Sequence, residues 1–190
     1  MNTNKHRRSW LAFRIQLSAF SLLLASCNLP SPQADTARHF TLSGPVGTAT
    51  GGATVRPVQL AGHLRGRAMA VRVGENEVIY LEEVRWAEPL DDAITQLLRA
   101  RIGAAGVGHI INVSVRRCEL VRSEGNTVQL AATYTVTPAG GTAQPGAFTA
   151  SPRTWDGKDY AALVGLLRDA VGEMGDAMAA ALPEKKQFKQ

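Results

Sequence analysis

The sequence has few of the residues from which metal and redox sites are built. Only two of its 190 residues are cysteines and four are histidines. Three of the histidines, His39, His63 and His109, lie far apart in the chain, and none has a second His or Cys at the spacing of metal ligands. Isolated histidines of this kind are typical of ordinary strand or loop positions. We therefore predict no metal site and no bound cofactor.

Catalytic motifs are missing as well. The glycine-rich stretch 103–108 follows a predicted helix, whereas a dinucleotide-binding fingerprint follows a strand. The chain contains neither a nucleophile elbow nor the lysine of a Walker A motif. These absences predict that the protein is not an enzyme. The alternative, a hydrolase without a recognisable motif, would require a cleft lined by titratable groups with shifted pKa values.

The excess of positive charge is confined to the start of the chain. The formal net charge is +5, with 21 basic and 16 acidic residues. Residues 1–26 contain four of the basic residues and no acidic one, which leaves 17 basic against 16 acidic residues in the remainder. No later stretch combines clustered Lys or Arg with interleaved aromatic residues. We therefore predict no nucleic-acid partner.

The N-terminal apolar run is too short for a membrane span. This run, 15–25, has eleven residues, three of them polar, whereas a spanning helix needs about 20 apolar residues. Four basic residues precede it, a pattern typical of a targeting segment: Lys5, Arg7, Arg8 and Arg14. Residues 1–26 are therefore predicted to be a signal peptide outside the folded domain.

The residues at the end of this segment, Leu24, Ala25, Ser26 and Cys27, resemble the lipobox of bacterial lipoproteins. The resemblance implies that Cys27 becomes the first residue of the mature chain and carries covalent diacylglycerol and acyl groups. Each buried CH₂ contributes about 0.8 kcal/mol and stable anchoring needs more than one chain, so a multiply acylated Cys27 would hold the protein at a bilayer. Residues 27–36 would then be a lipidated tether.

The alternative is an ordinary cleavage site that happens to precede a cysteine. In that case Cys27 and Cys118 could form a disulfide in an oxidising compartment. If Cys27 is acylated, Cys118 has no partner. We then expect Cys118 to be buried as a small hydrophobic residue, because it lies in the apolar phase of a predicted strand.

The periodicity of the remaining chain predicts a single α+β domain over 37–183, with a polar tail over 184–190. Short strands are expected from His39 and from Thr54, followed by a hairpin that turns at "GENE". A helix is expected over 89–102. The predicted architecture is a mostly antiparallel sheet of two hairpins and N-terminal strands, packed against two helices.

The second hairpin is the longer one, and its apolar alternation slips near Arg117, which indicates a bulge. A loose segment over 137–151 separates it from a final helix capped by Asp156 or Asp159. Three glycines within that helix suggest the close approach of a neighbouring backbone, either the sheet or a second subunit: Gly165, Gly172 and Gly175.

The stretch "EEVRWAEPLDDAI" lies where the first hairpin gives way to the first helix. Helical geometry is disfavoured before a proline, so we expect Glu88 to be extended and Pro89 to occupy the first helical position. Trp86 can seal the seam between helix and sheet. Arg85 can pair with Glu88 across the bend, a contact worth about 0–1 kcal/mol at a surface. We call Arg85, Trp86, Glu88 and Pro89 the corner, and predict a structural role for it that can also border a docking face.

The motif "RWAEPL" at 85–90 resembles the signature of auxiliary lipoproteins of ABC-type transport systems, a PqiC-like family that accompanies MCE-domain lipid transporters in Gram-negative envelopes. Other segments follow in the family's order: "HFTLS", "VRPVQLAGHLRGR", "CELVRSEGNTVQLAATYTV" and "YAALVGLL". Together they cover most of residues 40–182. The chain departs from the family at Cys118, where an aromatic residue usually precedes the hairpin Glu119, and in the small residues at 47–53.

The resemblance implies a non-catalytic periplasmic subunit that docks an MCE-domain partner to a membrane, so that lipid or other hydrophobic cargo can cross the envelope. The resemblance is also compatible with a homo-oligomer. The residue after Cys27 is Asn28, and an Asp at that position would redirect the sorting of the lipoprotein. The expected location is therefore the periplasmic face of the outer membrane, with the inner membrane as the alternative. Another interpretation is a free-standing lipid- or cell-wall-binding lipoprotein, which would require an apolar pocket of about several hundred Å³ inside the domain.

Overall fold

The structure is a computed structural model that describes residues 34–44 and 54–182. The predicted signal peptide 1–26, Cys27, most of the tether, the segment 47–53 and the tail 184–190 lie outside the described residues. The strands and helices reported below belong to the unit that begins at Ala37.

Strands dominate the described chain, and helices follow each hairpin. The strands are β1 (Arg38–Phe40), β2 (Thr54–Val55), β3 (Gln59–Leu60), β4 (Ala68–Arg72), β5 (Val78–Trp86), β6 (His109–Val121), β7 (Thr127–Pro138), β8 (Gln144–Thr149) and β9 (Arg153–Thr154). The α-helices are α1 (Leu90–Ile102) and α2 (Tyr160–Ala180), and short 3-10 turns span Gly62–Leu64 and Gly103–Gly106. The two predicted hairpins are β4–β5 and β6–β7.

The strands form one sheet in the order β1-β5-β4-β6-β7-β8, with β2 and β3 beside β6 and β9 beside β7. The α+β class is confirmed, but the sheet is mixed. The hairpin pairs are antiparallel, whereas β1 runs parallel to β5, and β2, β3 and β4 run parallel to β6. These parallel pairs join segments distant in sequence, so the alternation within a single strand cannot predict them.

The predicted bulge is confirmed in β6, where the pairing with β7 shifts between Val115 and Arg117. The extra residue keeps apolar side chains on one face along the whole strand. Val113 and Val115 are buried before the bulge, and Cys118 and Leu120 are buried after it. Their face of the sheet packs against the helices, and we call the opposite face the outer face.

The predicted loose segment over 137–151 is wrong, because Gln144–Thr149 forms β8 and pairs with the β7 residues 131–136. Pro145 and Gly146 are poor strand formers, and they are tolerated because β8 lies at the edge of the sheet. A Cβ atom at Gly146 would overlap the ring of Tyr134, which lies opposite it in β7. Packing across the strands therefore outweighs the local preference of this segment.

Of the two predicted caps, Asp156 and Asp159, it is Asp159 that caps α2: its side chain accepts a hydrogen bond from the backbone N–H of Ala161 at 3.1 Å. Its buried stripe contributes to the single core cluster formed with α1 and the sheet. The close neighbour of its glycines is α1 and not the sheet, since a Cβ at Gly175 would lie 2.9 Å from the Cβ of Arg101. Gly175 thus lets the two helices approach each other. Gly165 has no such neighbour.

Candidate functional site

Trp86 ends β5 and lies in the core, with 3% of its surface exposed. Its backbone N–H donates to the carbonyl of Arg67 at 2.7 Å, and it lies opposite Phe40 in the pairing of β1 with β5. The next residue, Ala87, donates its N–H to the carbonyl of Phe40 at 2.8 Å. The backbone at Trp86 and Ala87 is therefore hydrogen-bonded to the chain segments on both sides of β5.

Glu88 is half-buried and joins the chain after β1 to the start of α1. Its carboxylate accepts hydrogen bonds from the backbone N–H of Ser43 at 3.0 Å and from the Ser43 hydroxyl at 2.7 Å. Pro89 is exposed and extended, with φ −57° and ψ 131°, so its predicted place as the first helical residue is wrong by one position and α1 begins at Leu90. Asp91 and Asp92 lie in the first turn of α1, where acidic side chains complement the exposed N–H groups.

Arg85 faces back along its own strand. Its Nε donates to the carbonyl of Glu82 at 2.8 Å, and its guanidinium lies 3.7 Å from the Glu82 carboxylate. The contacts of Glu88 are with Ser43, so the two side chains expected to pair are held by different neighbours. The corner thus joins β1, β5 and α1, with Trp86 on its buried side and Pro89 on its exposed side.

A buried charge cluster on the outer face was missed by the sequence reasoning. The side chain of Glu119 is 0% exposed, and its two oxygens lie 2.7 Å from Arg72 Nε and 3.0 Å from His63 Nε2. A buried carboxylate is costly unless it is paired and hydrogen-bonded, and both partners meet that need. The cluster ties the last residue of β4 and the turn Gly62–Leu64 to β6. The available signal was a Glu within the apolar run "CELV" directly after the bulge.

Cys118 precedes Glu119 and points to the core, with 3% of its surface exposed. Burial, together with the neighbouring Glu119 charge, raises the pKa of the Cys118 thiol to about 12. The thiol is therefore protonated at neutral pH and is a poor nucleophile. This is the environment of a small hydrophobic residue in the core.

The outer face beyond this cluster is polar. A groove of about 540 Å³ crosses one end of it and is lined by Arg56, Gln59, Asn112, Ser114, Thr133 and Thr135, among others. At the other end a groove of about 460 Å³ contains Arg117, which donates to Gln129 at 2.5 Å, while Gln129 donates to Glu124 at 2.6 Å. Both grooves combine hydroxyl, amide and charged groups with apolar side chains, such as Val113 and Tyr134 in the first and Val128 and Leu130 in the second, which suits a surface in contact with a protein.

A third groove, of about 620 Å³, lies between the helices and carries paired charges. Arg101 contacts Asp176 at 2.8 Å, and Arg153 contacts Glu173 at 2.6 Å. The hydrogen bonds from Arg153 and from Ser151 hold the pKa of the Glu173 carboxyl below its ordinary value. Since Arg153 and Ser151 bind the Glu173 carboxylate and Arg101 contacts Asp176, the groove has the character of an ion-paired helix surface.

Two features that the described residues lack concern metal binding and membrane crossing. Within 34–44 and 54–182, no group of three or more His, Cys, Asp or Glu side chains is arranged to hold a metal ion. In the same ranges, no helix has both the length and the hydropathy that a membrane crossing requires.

Fold and site together define an α+β domain with a sealed strand-to-helix corner and a polar outer sheet face. The sequence model of the ABC-type transport auxiliary lipoprotein component family matches residues 40–179. The chain belongs to this family. The comparison with curated proteins gave no match.

Solved structures share the fold. The crystal structure of an uncharacterized protein superposes with a TM-score of 0.63 at 15% identity, covering 76% of this chain and 97% of the other. A Xanthomonas campestris protein of the DUF330 family gives a TM-score of 0.57 at 18% identity, covering 76% and 89% of the two chains. The PelC dodecamer from Paraburkholderia phytofirmans gives 0.32 at 9% identity, covering 67% and 93%, a likeness too low to support an argument about assembly.

Proposed function

We propose that the protein is a membrane-anchored, non-catalytic docking subunit of an ABC/MCE-type transport system that moves lipid or other hydrophobic compounds across the envelope. The observation that carries the proposal is the match of residues 40–179 to the transport auxiliary lipoprotein family. The lipobox-like residues before Cys27 supply the anchor, through diacylglycerol and acyl groups on its sulfur and amine. Asn28 favours the periplasmic face of the outer membrane.

The geometry supports a docking role over a chemical one. The buried charges of the Glu119 cluster are satisfied by each other, and the Cys118 thiol is held protonated in the core. The exposed polar groups line open grooves on the outer face and between the helices. A free-standing lipid-binding lipoprotein would use an apolar pocket inside the domain for acyl chains, whereas these three grooves are open at the surface and each includes charged side chains beside its apolar ones.

The experiment combines removal of the anchor with recovery of the partner. Cys27→Ala is expected to release a folded protein into the soluble periplasmic fraction and to abolish incorporation of radiolabelled palmitate. The tagged wild-type protein, purified in mild detergent, is expected to retain an MCE-domain protein, which mass spectrometry would identify. Palmitate in the Cys27→Ala variant would contradict the anchor, and recovery without any transport subunit would contradict the docking role.

A further inference from the structure

Arginines lie along one stretch of the outer face. Arg56 lines the groove of about 540 Å³, together with Asn112 and Ser114 of β6, and Arg117 lies in the groove of about 460 Å³. Between these two positions, Arg116 is exposed at the bulge of β6. From Asn112 to Arg117 the strand covers about 17 Å, at about 3.3 Å per residue. An extended peptide of about six residues would span the same distance.

A fourth arginine reaches this stretch from the segment that follows β3. The Nε of Arg65 donates to the carbonyl of Leu60 at 3.2 Å, and Leu60 lies opposite Val115 in the parallel pairing of β3 with β6. Since Arg65 is exposed, its charge lies at the surface beside the bulge. We call these four residues the cationic strip: Arg56, Arg65, Arg116 and Arg117.

The chain supplies few carboxylates to balance the cationic strip. Within the described residues, none of the four arginines forms an ion pair with Asp or Glu. The segment 54–72 has no acidic residue, and the one acidic residue of β6, Glu119, is buried against Arg72. Outside the described ranges, the sequence contains a single acidic side chain, Glu184. The positive charge therefore remains available to another molecule.

One carboxylate offsets part of the charge at one end of the strip. Arg117 donates to Gln129, and Gln129 donates to Glu124 at 2.6 Å. In the part of the chain that the structure describes, Arg56 and Arg116 have no such link to a carboxylate. The unbalanced charge is thus concentrated between the first groove and the bulge.

The shape and lining of this surface favour a protein segment as the occupant. A bilayer presents its headgroups in a plane, and a plane does not enter the two grooves. An extended peptide can enter them, contact apolar side chains such as Tyr134 and Leu130, and bond to the hydroxyl and amide groups. Carboxylates of Asp or Glu match the two N–H groups of a guanidinium. A second copy that used the same face would bring arginines against arginines.

We propose that the cationic strip binds an extended acidic segment of another protein, and that this protein is a subunit of the transport system. The identity of the partner rests on the proposed function. Carboxylates of the segment pair with Arg56 in the first groove and with Arg65 and Arg116 at the bulge, and an apolar side chain of the segment enters the first groove beside Tyr134.

The test uses the full-length protein in its native envelope, with the photo-crosslinking residue p-benzoylphenylalanine in place of Thr133, which is exposed in the first groove. The matched control carries the same residue in place of Gln96, which is exposed on α1. We expect a crosslink from position 133 to an Asp- or Glu-rich peptide of a transport subunit, identified by mass spectrometry. Little product is expected from position 96.

Single substitutions in the protein with the crosslinker at position 133 test the role of charge. Arg56→Gln and Arg116→Gln are each expected to lower the crosslink yield about two- to fivefold, which corresponds to the loss of one surface ion pair. Lys158→Gln makes the same change in net charge at an exposed position before α2 and is expected to leave the yield unchanged. Arg56→Lys keeps the charge without the guanidinium, so its yield should lie between those of Arg56→Gln and wild type. Equal yields from Arg56→Gln and Lys158→Gln would overturn the acidic occupant.

A sedimentation experiment separates a protein partner from a membrane surface. The Cys27→Ala variant, which lacks the anchor, is mixed with vesicles of phosphatidylglycerol or of phosphatidylcholine at about 150 mM salt, where long-range charge effects are screened. We expect equal, low sedimentation with both. Sedimentation with phosphatidylglycerol alone that is lost in Arg56→Gln, together with no protein crosslink at position 133, would show a membrane-facing strip and overturn the inference.

The outcomes distinguish this inference from the proposed function. A transport subunit crosslinked from position 96 and not from position 133 would overturn the acidic segment and leave the proposed function standing. An acidic peptide of an unrelated envelope protein at position 133 would support the cationic strip as a docking surface and overturn the transport partner. A product between two copies of this chain, or none at position 133, would overturn the inference.

Discussion

Replacement of Trp86 by alanine is expected to destabilise the protein, because the side chain lies in the core with 3% of its surface exposed. A buried tryptophan removes about 200 Å² from water, and at about 25 cal/mol per Å² this corresponds to about 5 kcal/mol as an upper value. Large-to-small replacements of buried aromatic residues lower the free energy of unfolding by about 3–5 kcal/mol. We expect Trp86→Ala to fall in that range.

Thermal unfolding of the full-length protein in mild detergent, followed by far-UV circular dichroism, measures this loss. For a chain of this size, 1 kcal/mol shifts Tm by about 2–4 °C, so Tm is expected to fall by about 6–20 °C. The control is Tyr80→Ala on the same strand, where 45% of the residue is exposed. That variant is expected to stay within about 0.5 kcal/mol of wild type.

The reasoning would be refuted if Trp86→Ala kept the wild-type Tm to within about 2 °C, which is less than the shift expected for 1 kcal/mol. If such a stable variant also lost its transport partner in detergent purification, Trp86 would belong to a docking surface and not to the core.

Two further perturbations test the polar contacts. Glu119→Ala leaves Arg72 and His63 without their carboxylate, so we expect the free energy of unfolding, measured by urea denaturation, to fall by about 3–5 kcal/mol. Glu119→Gln keeps an acceptor oxygen and is expected to lose less. Wild-type stability in both variants would contradict this interpretation. The Glu173 pKa is lowered from 4.5, so its stabilising contribution is complete above that value and is lost as pH falls through the lowered pKa. The Tm difference between wild type and Glu173→Gln should therefore shrink between about pH 6 and about pH 3, and a constant difference would argue against the Arg153 contact.

Elements with local partners were predictable. In β6 and β7 the side chains alternate between two faces, so the apolar pattern indicated both strands, and its slip near Arg117 indicated the bulge. The start of α2 followed from Asp159, because a carboxylate before a helix can accept a free N–H group of the first turn.

Elements whose partners are distant were not predictable. Pro145 and Gly146 argue against a strand, and β8 exists because β7 offers an edge and Gly146 makes room for Tyr134. The parallel contact of β4 with β6 made the sheet mixed, and neither strand's own pattern indicates it. The small residue Gly175 signalled a close neighbour, but only the packing of the helices showed this neighbour to be Arg101 of α1.

The candidate site divides in the same way. The strand-to-helix turn could be read from Pro89, since a proline restricts the residue before it. The partner of Glu88 could not be read, because Ser43 is 45 residues away. Glu119 is a similar case, with His63 and Arg72 at separations of 56 and 47 residues.

The sequence by itself determined where apolar and polar residues alternate, where helices form and where the chain turns. It also contained the lipobox-like motif and the "RWAEPL" signature. Each of these features depends on residues only a few positions apart. Tertiary structure alone decided which strands became edges, which charges were buried together, and which face stayed polar. The physical reason is that burial and pairing depend on surfaces that exist only after the helices have covered one side of the sheet.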